Sequence, residues 1–371
     1  MQDLRSEIAT RFITPVQLTL LRAALTDAPE AIEAAQELLT ADGTELDRFE
    51  SGLRRLLPLF YRNARRSIAA ELRATLRGLY LQYWVQNEKL LRRLEQLLTW
   101  FDAEGVPTLV LKGMALSLLH YKDMAVRPTS DLDVLVPEER AREVISLLQQ
   151  NGWSTNYAFV GAPRNSYFYR HIHAIPFTHA EYGELDLHWH VLQTATFRGA
   201  DRMFWDDSVG LRVGAIATRA LNPTDQLLHA CVHGFAANAV APIRWIADAI
   251  TVLRTSQIDW RRLENLAQQL HITAPLGGSL AFLRASFQAA IPDDVIEQLL
   301  SFDVHRSDRR YFEQLTSLHR SWRQQVAYNW ERYRRANRDL NPILRLASLP
   351  RDLGAFAFYR LGKQLTSRLV I

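Results

Sequence analysis

The chain has 371 residues, of which 48% are apolar and 23% charged, with a formal net charge of +4. That balance excludes extensive disorder, and the length suffices for two or three packed units, because single cores stop growing at about 250 to 300 residues. The single cysteine, Cys231, excludes an internal disulfide or a cysteine-rich zinc cluster, while the absence of a long apolar run and the charges Asp3, Arg5, Glu7 and Arg11 leave neither a membrane span nor a secretory signal, so a cytoplasmic protein is expected.

Residues 15–104 carry helical periodicity. Leu18, Leu21, Ala24 and Leu25 form one apolar stripe, and Leu90, Leu94, Leu97, Leu98 and Phe101 form another at three- and four-residue spacing. Gly105 follows directly and is predicted to cap that helix in the left-handed conformation. The period then changes. Thr108 to Leu111 is a short apolar run, Lys112-Gly113 a tight turn, and Met114 to Tyr121 a new helix. A second strand-to-helix unit follows in Asp131 to Val136, with Pro137-Glu138-Glu139 opening a helix that stops at Asn151-Gly152. Ile172 to Thr178 and Glu184 to Val191 read as a hairpin turning at Glu181-Tyr182-Gly183. From Asn222 onward the pattern is helical again, with Asp259 as a predicted cap. The expected fold class is α+β, a small mixed β-sheet core at 105–218 between helical regions at 1–104 and 219–371.

Residues 303–371 hold 14 Lys or Arg against 6 Asp or Glu, so the C-terminal end is basic while the rest is slightly acidic. The charges are spread through helical sequence, which fits a solvated face and, as the alternative, contact with a polyanion. Aromatic residues among these arginines, Trp322, Tyr328, Trp330 and Tyr333, are read as packing residues.

In Asp131-Leu132-Asp133 the two acids are one residue apart, and on a strand such neighbours point to one side at about 6.6 Å along the backbone. Like charges this close repel unless cations balance them, and Mg²⁺, which favours hard oxygen ligands and bridges carboxylates to phosphates, is the natural counter-ion. Exposure to water, or pairing with Arg127, is the structural alternative. On the later strand Glu184, Asp186, His188 and His190 share a face and alternate with Leu185, Leu187, Trp189 and Val191. Asp186 would complete a site for two ions roughly 4 Å apart, the arrangement that serves in-line displacement at phosphorus, and could take the proton of an acceptor hydroxyl. His188 stands beside it as an accessory. A site of gathered imidazoles from His171, His173, His188 and His190 is the competing pattern, and it leaves Asp131 and Asp133 unexplained. The Lys112-Gly113 turn offers helix-start amides, close approach and a compact positive charge to a phosphate. Arg127 can contact the same triphosphate or orient the acidic loop. His229 and His233 have helical ligand spacing but Ala230 stands where a protease motif needs glutamate, so they are read as core or interface residues, and Asp248 as an acid tying down a loop.

Together LKGMAL at 111–116, RPTSDLDVLV at 127–136, ELDLHWH at 184–190, HACVHGF at 229–235 and RWIAD at 244–248 resemble the DNA polymerase beta-like nucleotidyltransferase superfamily, and more closely the bacterial family called uncharacterised nucleotidyltransferase. The resemblance spans most of 105–250. It implies Asp131, Asp133 and Asp186 as catalytic, metal-binding carboxylates, and a Lys112-Gly113 turn in place of the superfamily's glycine-serine turn, with Met114 where serine is usual. The implied reaction moves a nucleoside monophosphate, AMP in preference, from a nucleoside triphosphate to a hydroxyl of a protein, nucleic acid or small molecule, with two Mg²⁺ ions. The alternative is a degenerate nucleotide- or peptide-binding accessory or regulatory module on the same fold.

Overall fold

Leu90, Leu94, Leu97, Leu98 and Phe101, the stripe of the predicted long helix, are all buried, on a helix that runs from Ala70 to Ala103 in the computed structural model of the protein. The chain then turns at Gly105, whose φ is +62°, and the Val106 amide donates to the Phe101 carbonyl at 2.8 Å. That is the left-handed cap expected where an apolar stripe meets glycine. The structure describes residues 13–41, 49–156, 166–234, 243–302, 311–312 and 321–350. The N-terminal charges Asp3 to Arg11, Phe235 of the HACVHGF stretch, and residues 303–310, 313–320 and 351–371 of the basic segment lie outside them.

Two units divide the chain. One consists of Met1–Leu90, Lys112–Thr129 and Pro223–Arg320, the other of Leu91–Leu111, Ser130–Asn222 and Ser321–Ile371. The described residues of the first unit form helices and no strand. Thr14 opens Pro15–Leu25 with a capping box to Gln17, and Leu21, Ala24 and Leu25 of the predicted stripe are buried. Asp259 caps Trp260–Gln269 by accepting from the Arg262 amide at 2.9 Å. Thr273–Phe287 is buried over most of its length. Cys231 is fully buried in the same unit, and burial pushes its thiol up, so it is a small core residue.

The second unit is built on one mixed sheet. Its strands are β1 (Leu109–Val110), β2 (Leu132–Leu135), β3 (Ala174–His179), β4 (Gly183–His188), β5 (Val209–Val213) and β6 (Ile216–Ala220), in the spatial order β3-β4-β2-β1-β6-β5. β1 runs antiparallel to β2 and parallel to β6; β2 runs parallel to β4. The predicted hairpin is β3 and β4, turning through Gly183 at φ +81°. Its second strand stops at His188, three residues earlier than alternation suggests, because the Trp189 and His190 amides both donate to the His173 carbonyl. The β5–β6 hairpin is not assigned by the sequence reading. Its signal is the two-residue Gly214-Ala215 link between short alternating runs. Glu95 accepts from the Ala215 amide at 2.7 Å, and a Cβ at Gly214 would lie 2.1 Å from the Glu95 carboxylate.

One face of the central strands is apolar. Leu132 pairs with Leu185 and Val134 with Leu187, continuing to Phe177 and Ile175 on β3, and all six are fully buried. Ala141, Val144, Ile145 and Leu148 are the buried stripe of the helix Ala141–Gln150. The C-terminal helix Trp322–Ala336 belongs to this unit: His171 stacks on Tyr333 at 5.9 Å, and Arg335, only 5% exposed, donates to the Thr194 carbonyl at 2.9 Å. Arg332 likewise donates to the His171 carbonyl and Arg345 to that of Asn337. Part of the basic surplus therefore bonds backbone carbonyls. Among the described residues no helix is long and apolar enough to cross a membrane.

Candidate functional site

The opposite face of β2 and β4 carries the acids. Their parallel register pairs Asp133 with Asp186 and, one row on, Leu135 with His188. Residues two apart on a strand share a face, so Asp133, Asp186 and His188 converge on the side opposite the leucines. Each offers one ligand atom, and the three atoms lie within 4.8 Å of one another. Asp133 is 5% and His188 1% exposed, while Asp186 is half-buried, so the group is set into the sheet with one side open. His188 Nε2 is 3.2 Å from Asp133 Oδ1, its Nδ1 is 3.4 Å from the His190 carbonyl oxygen, and the His173 ring packs edge-on at 5.5 Å. The Leu111 amide donates to the Asp133 carbonyl at 2.9 Å, which fixes the backbone that carries the carboxylate.

Asp131 lies one residue ahead of β2, half-buried, with Ser130 Oγ 3.2 Å from its Oδ1. It is not part of the 4.8 Å group. Of the four histidines that alternation could have gathered, His188 alone contributes to the group. His171 stacks on Tyr333, and His190 is bound to Asp201 at 2.6 Å. Burial disfavours a charged His190, but the Asp201 carboxylate outweighs it and holds the imidazole above its ordinary range. Asp201 also accepts from the Val191 amide at 2.7 Å and so fixes the chain leaving β4.

Lys112, Gly113 and Arg127 belong to the helical unit. Lys112 opens the helix Lys112–Leu116 with a left-handed φ of +41°, a conformation that costs a non-glycine residue about 1 kcal/mol or more. Gly113 is required by close packing: a Cβ there would meet Thr129 Cγ2 at 2.5 Å, Thr129 Oγ1 at 3.0 Å and Arg127 Nη1 at 3.1 Å. Arg127, 4% exposed, is held in bidentate fashion by Asp248, Nε to Oδ1 and Nη2 to Oδ2, each at 2.8 Å. The Tyr121 hydroxyl donates to the same carboxylate at 2.9 Å. Burial alone would raise Asp248, but the Arg127 charge and hydrogen bonds hold it below the usual carboxylate range. Asn87 completes this clamp, donating to the carbonyls of Met124 and Arg127 and accepting from the Thr129 amide at 3.1 Å. The sequence reading of Asp248 as an acid that ties down a loop identifies its role but not its partner, and nothing in the spacing marks Asn87. His229 and His233 pack edge-to-face at 5.8 Å.

A family profile described as uncharacterised nucleotidyltransferase matches residues 53–288, well over half of the chain and inclusive of all six strands. The chain belongs to that family. The chain is similar to the solved lincosamide antibiotic adenylyltransferase LnuA in its lincomycin-bound form, at 17% identity and a TM-score of 0.31, covering 44% of this chain and 97% of that one. It is also similar to an antigenic nucleotidyltransferase-like protein from Paracoccidioides brasiliensis, at 15% identity and a TM-score of 0.36, covering 56% of this chain and 96% of that one. No curated protein matches the chain. By family it is a nucleotidyltransferase, and its sheet of parallel and antiparallel strands with surrounding helices is the α+β class that the residues predict.

Proposed function

We propose that this nucleotidyltransferase moves a nucleoside monophosphate, AMP in preference, from a nucleoside triphosphate to the hydroxyl of an acceptor. The observation that carries the reading is the Asp133–Asp186 register, which sets two carboxylates side by side on one face of the sheet with their ligand atoms within 4.8 Å. Two acids that close are a poor neutral-pH arrangement by themselves and a good one around divalent cations. The donor set of two carboxylates and an imidazole fits such a cation.

When bound there, divalent cations such as Mg²⁺ supply neutralisation of the phosphate charge and orientation of the reacting oxygens. Asp133 and Asp186 would hold them, with Asp131 joining from the loop ahead of β2. The acceptor oxygen forms a bond to the α-phosphorus, the bond from that phosphorus to the bridging oxygen of the β-phosphate breaks, and pyrophosphate leaves with the electron pair. Asp186, half-buried and open on one side, is assigned to receive the hydroxyl proton. Lys112 and Gly113 are assigned to the phosphates, and Arg127 with them, its plane fixed in advance by Asp248.

Incubation of the full chain with each labelled nucleoside triphosphate, Mg²⁺ and panels of protein, nucleic acid and small-molecule acceptors tests the proposal. Label transfer that disappears in Asp133→Asn and Asp186→Asn supports it. Tight nucleotide binding with no transfer to any panel would replace it with the accessory-module reading.

A further inference from the structure

The third donor beside the two acids is an imidazole, and its surroundings constrain what it does. His188 is 1% exposed, and its Nδ1 lies 3.4 Å from the His190 carbonyl oxygen. Nε2 lies 3.2 Å from Asp133 Oδ1, and one nitrogen of this ring and one carboxylate oxygen from each of Asp133 and Asp186 lie within 4.8 Å of one another. Neighbouring ligands of one octahedral ion with bonds of about 2.1 Å stand about 3.0 Å apart, close to the separation found. A backbone carbonyl on the far ring nitrogen is also the arrangement that fixes tautomer and orientation in a metal-binding histidine.

We propose that His188 is a protein ligand of the cation held by Asp133 and Asp186, and that its imidazole makes this position prefer Mn²⁺ to Mg²⁺. The inference rests on the nucleotidyl-transfer reading for the existence of a cation there, and adds which cation it is. Mg²⁺ favours all-oxygen surroundings and gives up water reluctantly, so a nitrogen donor contributes little to its binding. Mn²⁺ shares with Mg²⁺ the preference for carboxylate and phosphate oxygen but, as the first member of the divalent transition series, gains more from a nitrogen donor than Mg²⁺ does. Two carboxylates beside one imidazole match that intermediate character. The register supplies the geometry: His188 follows Asp186 by two residues on β4 and so sits one row beyond the Asp133–Asp186 pair on the same face.

Mn²⁺ added to the full-length wild-type protein provides the test by electron spin echo spectroscopy, alongside titration of free Mn²⁺ with Mg²⁺ as competitor. The expected result is a ¹⁴N coupling from a directly bound imidazole, lost in His188→Gln. With it the ratio of Mn²⁺ to Mg²⁺ affinity should fall about tenfold or more, since even outer partners of metal ligands are worth 10- to 100-fold. His188→Asp, which restores an all-carboxylate set, should bring Mg²⁺ affinity up toward that of Mn²⁺. Bound Mn²⁺ without nitrogen coupling in the wild type overturns the assignment, whether or not the variants fold. An unchanged affinity ratio in a folded His188→Gln overturns it as well. Either result, with label transfer still dependent on Asp133 and Asp186, removes this inference alone; binding of neither cation removes the nucleotidyl-transfer reading with it.

Discussion

Asp133 faces Asp186 across the parallel pair β2 and β4, in direct register, although 53 residues separate them in the chain. The pairing joins two acids whose mutual repulsion opposes folding to the cation binding proposed for them. A cation-free protein should therefore be less stable than one relieved of a charge. Asp186→Asn is expected to melt at the same or a higher temperature than wild type in EDTA, and to lose the rise that divalent cations give the wild type. That rise amounts to about 2.7 kcal/mol at a hundred times the dissociation constant. Label transfer by the same variant should fall about 10³-fold, the loss of several kcal/mol of charge stabilisation. Scanning calorimetry with and without Mg²⁺ checks the first part and the transfer assay the second.

Arg127 and Asp248 form a bidentate pair, each about 5% exposed. Removing one member leaves a buried charge, so Asp248→Asn should lower stability by about 3 to 5 kcal/mol. The pH dependence has a defined sign. The folded carboxyl is held below its ordinary value, so its contribution is complete above the unfolded aspartate pKa of about 3.9 and disappears as pH falls through the depressed folded value. Denaturation measured between neutral pH and pH 2 should show a wild-type advantage over Asp248→Asn that shrinks only in the acid range. An advantage that persists unchanged at pH 2 would contradict the assignment.

A Cβ added at Gly113 would run into the Thr129 and Arg127 side chains. Gly113→Ala should destabilise the helical unit by about 1 to 3 kcal/mol through overpacking. Because the nearest atom is Thr129 Cγ2, Thr129→Ala in the same chain should recover part of that loss. A double-mutant cycle in urea measures the coupling, and additive losses would show that the contact does not limit the site.

Asn87 is fully buried and serves two carbonyls and one amide of the segment Met124 to Thr129. Asn87→Ala strands these groups, at about 1 to 3 kcal/mol for a buried polar group left unpaired. Hydrogen exchange should show faster exchange of the Thr129 amide, with that of the Asp133–Asp186 strands unchanged.

How much of this was legible in advance depends on the range of the interaction. Cap, stripe and alternation are local, so the long helix ending at Gly105, the strand around Leu132 to Leu135 and the β3–β4 hairpin followed from periods of 3.6 and 2. The β5–β6 hairpin escaped because its alternating runs are only five residues long and half exposed, too short to stand out from loop sequence. Alternation also put His188 on the face of Asp186 without telling whether it would join the acids. The same rule set Asp131 beside Asp133 on a continuous strand, whereas β2 begins only at Leu132.

The residues alone determined the family's motifs, the α+β class and the two acidic segments, because each is written in spacing over fewer than about ten positions. Tertiary structure decided that β2 and β4 run parallel and in which register, that His188 Nε2 comes to Asp133, and that Asp248 captures Arg127 from 121 positions away. No local period encodes those meetings. The first two follow from burying Leu132, Val134, Leu185 and Leu187 on one face of the sheet, which leaves the alternate side chains one common side on which to converge, while the third is made inside the helical unit, where a buried guanidinium needs a carboxylate.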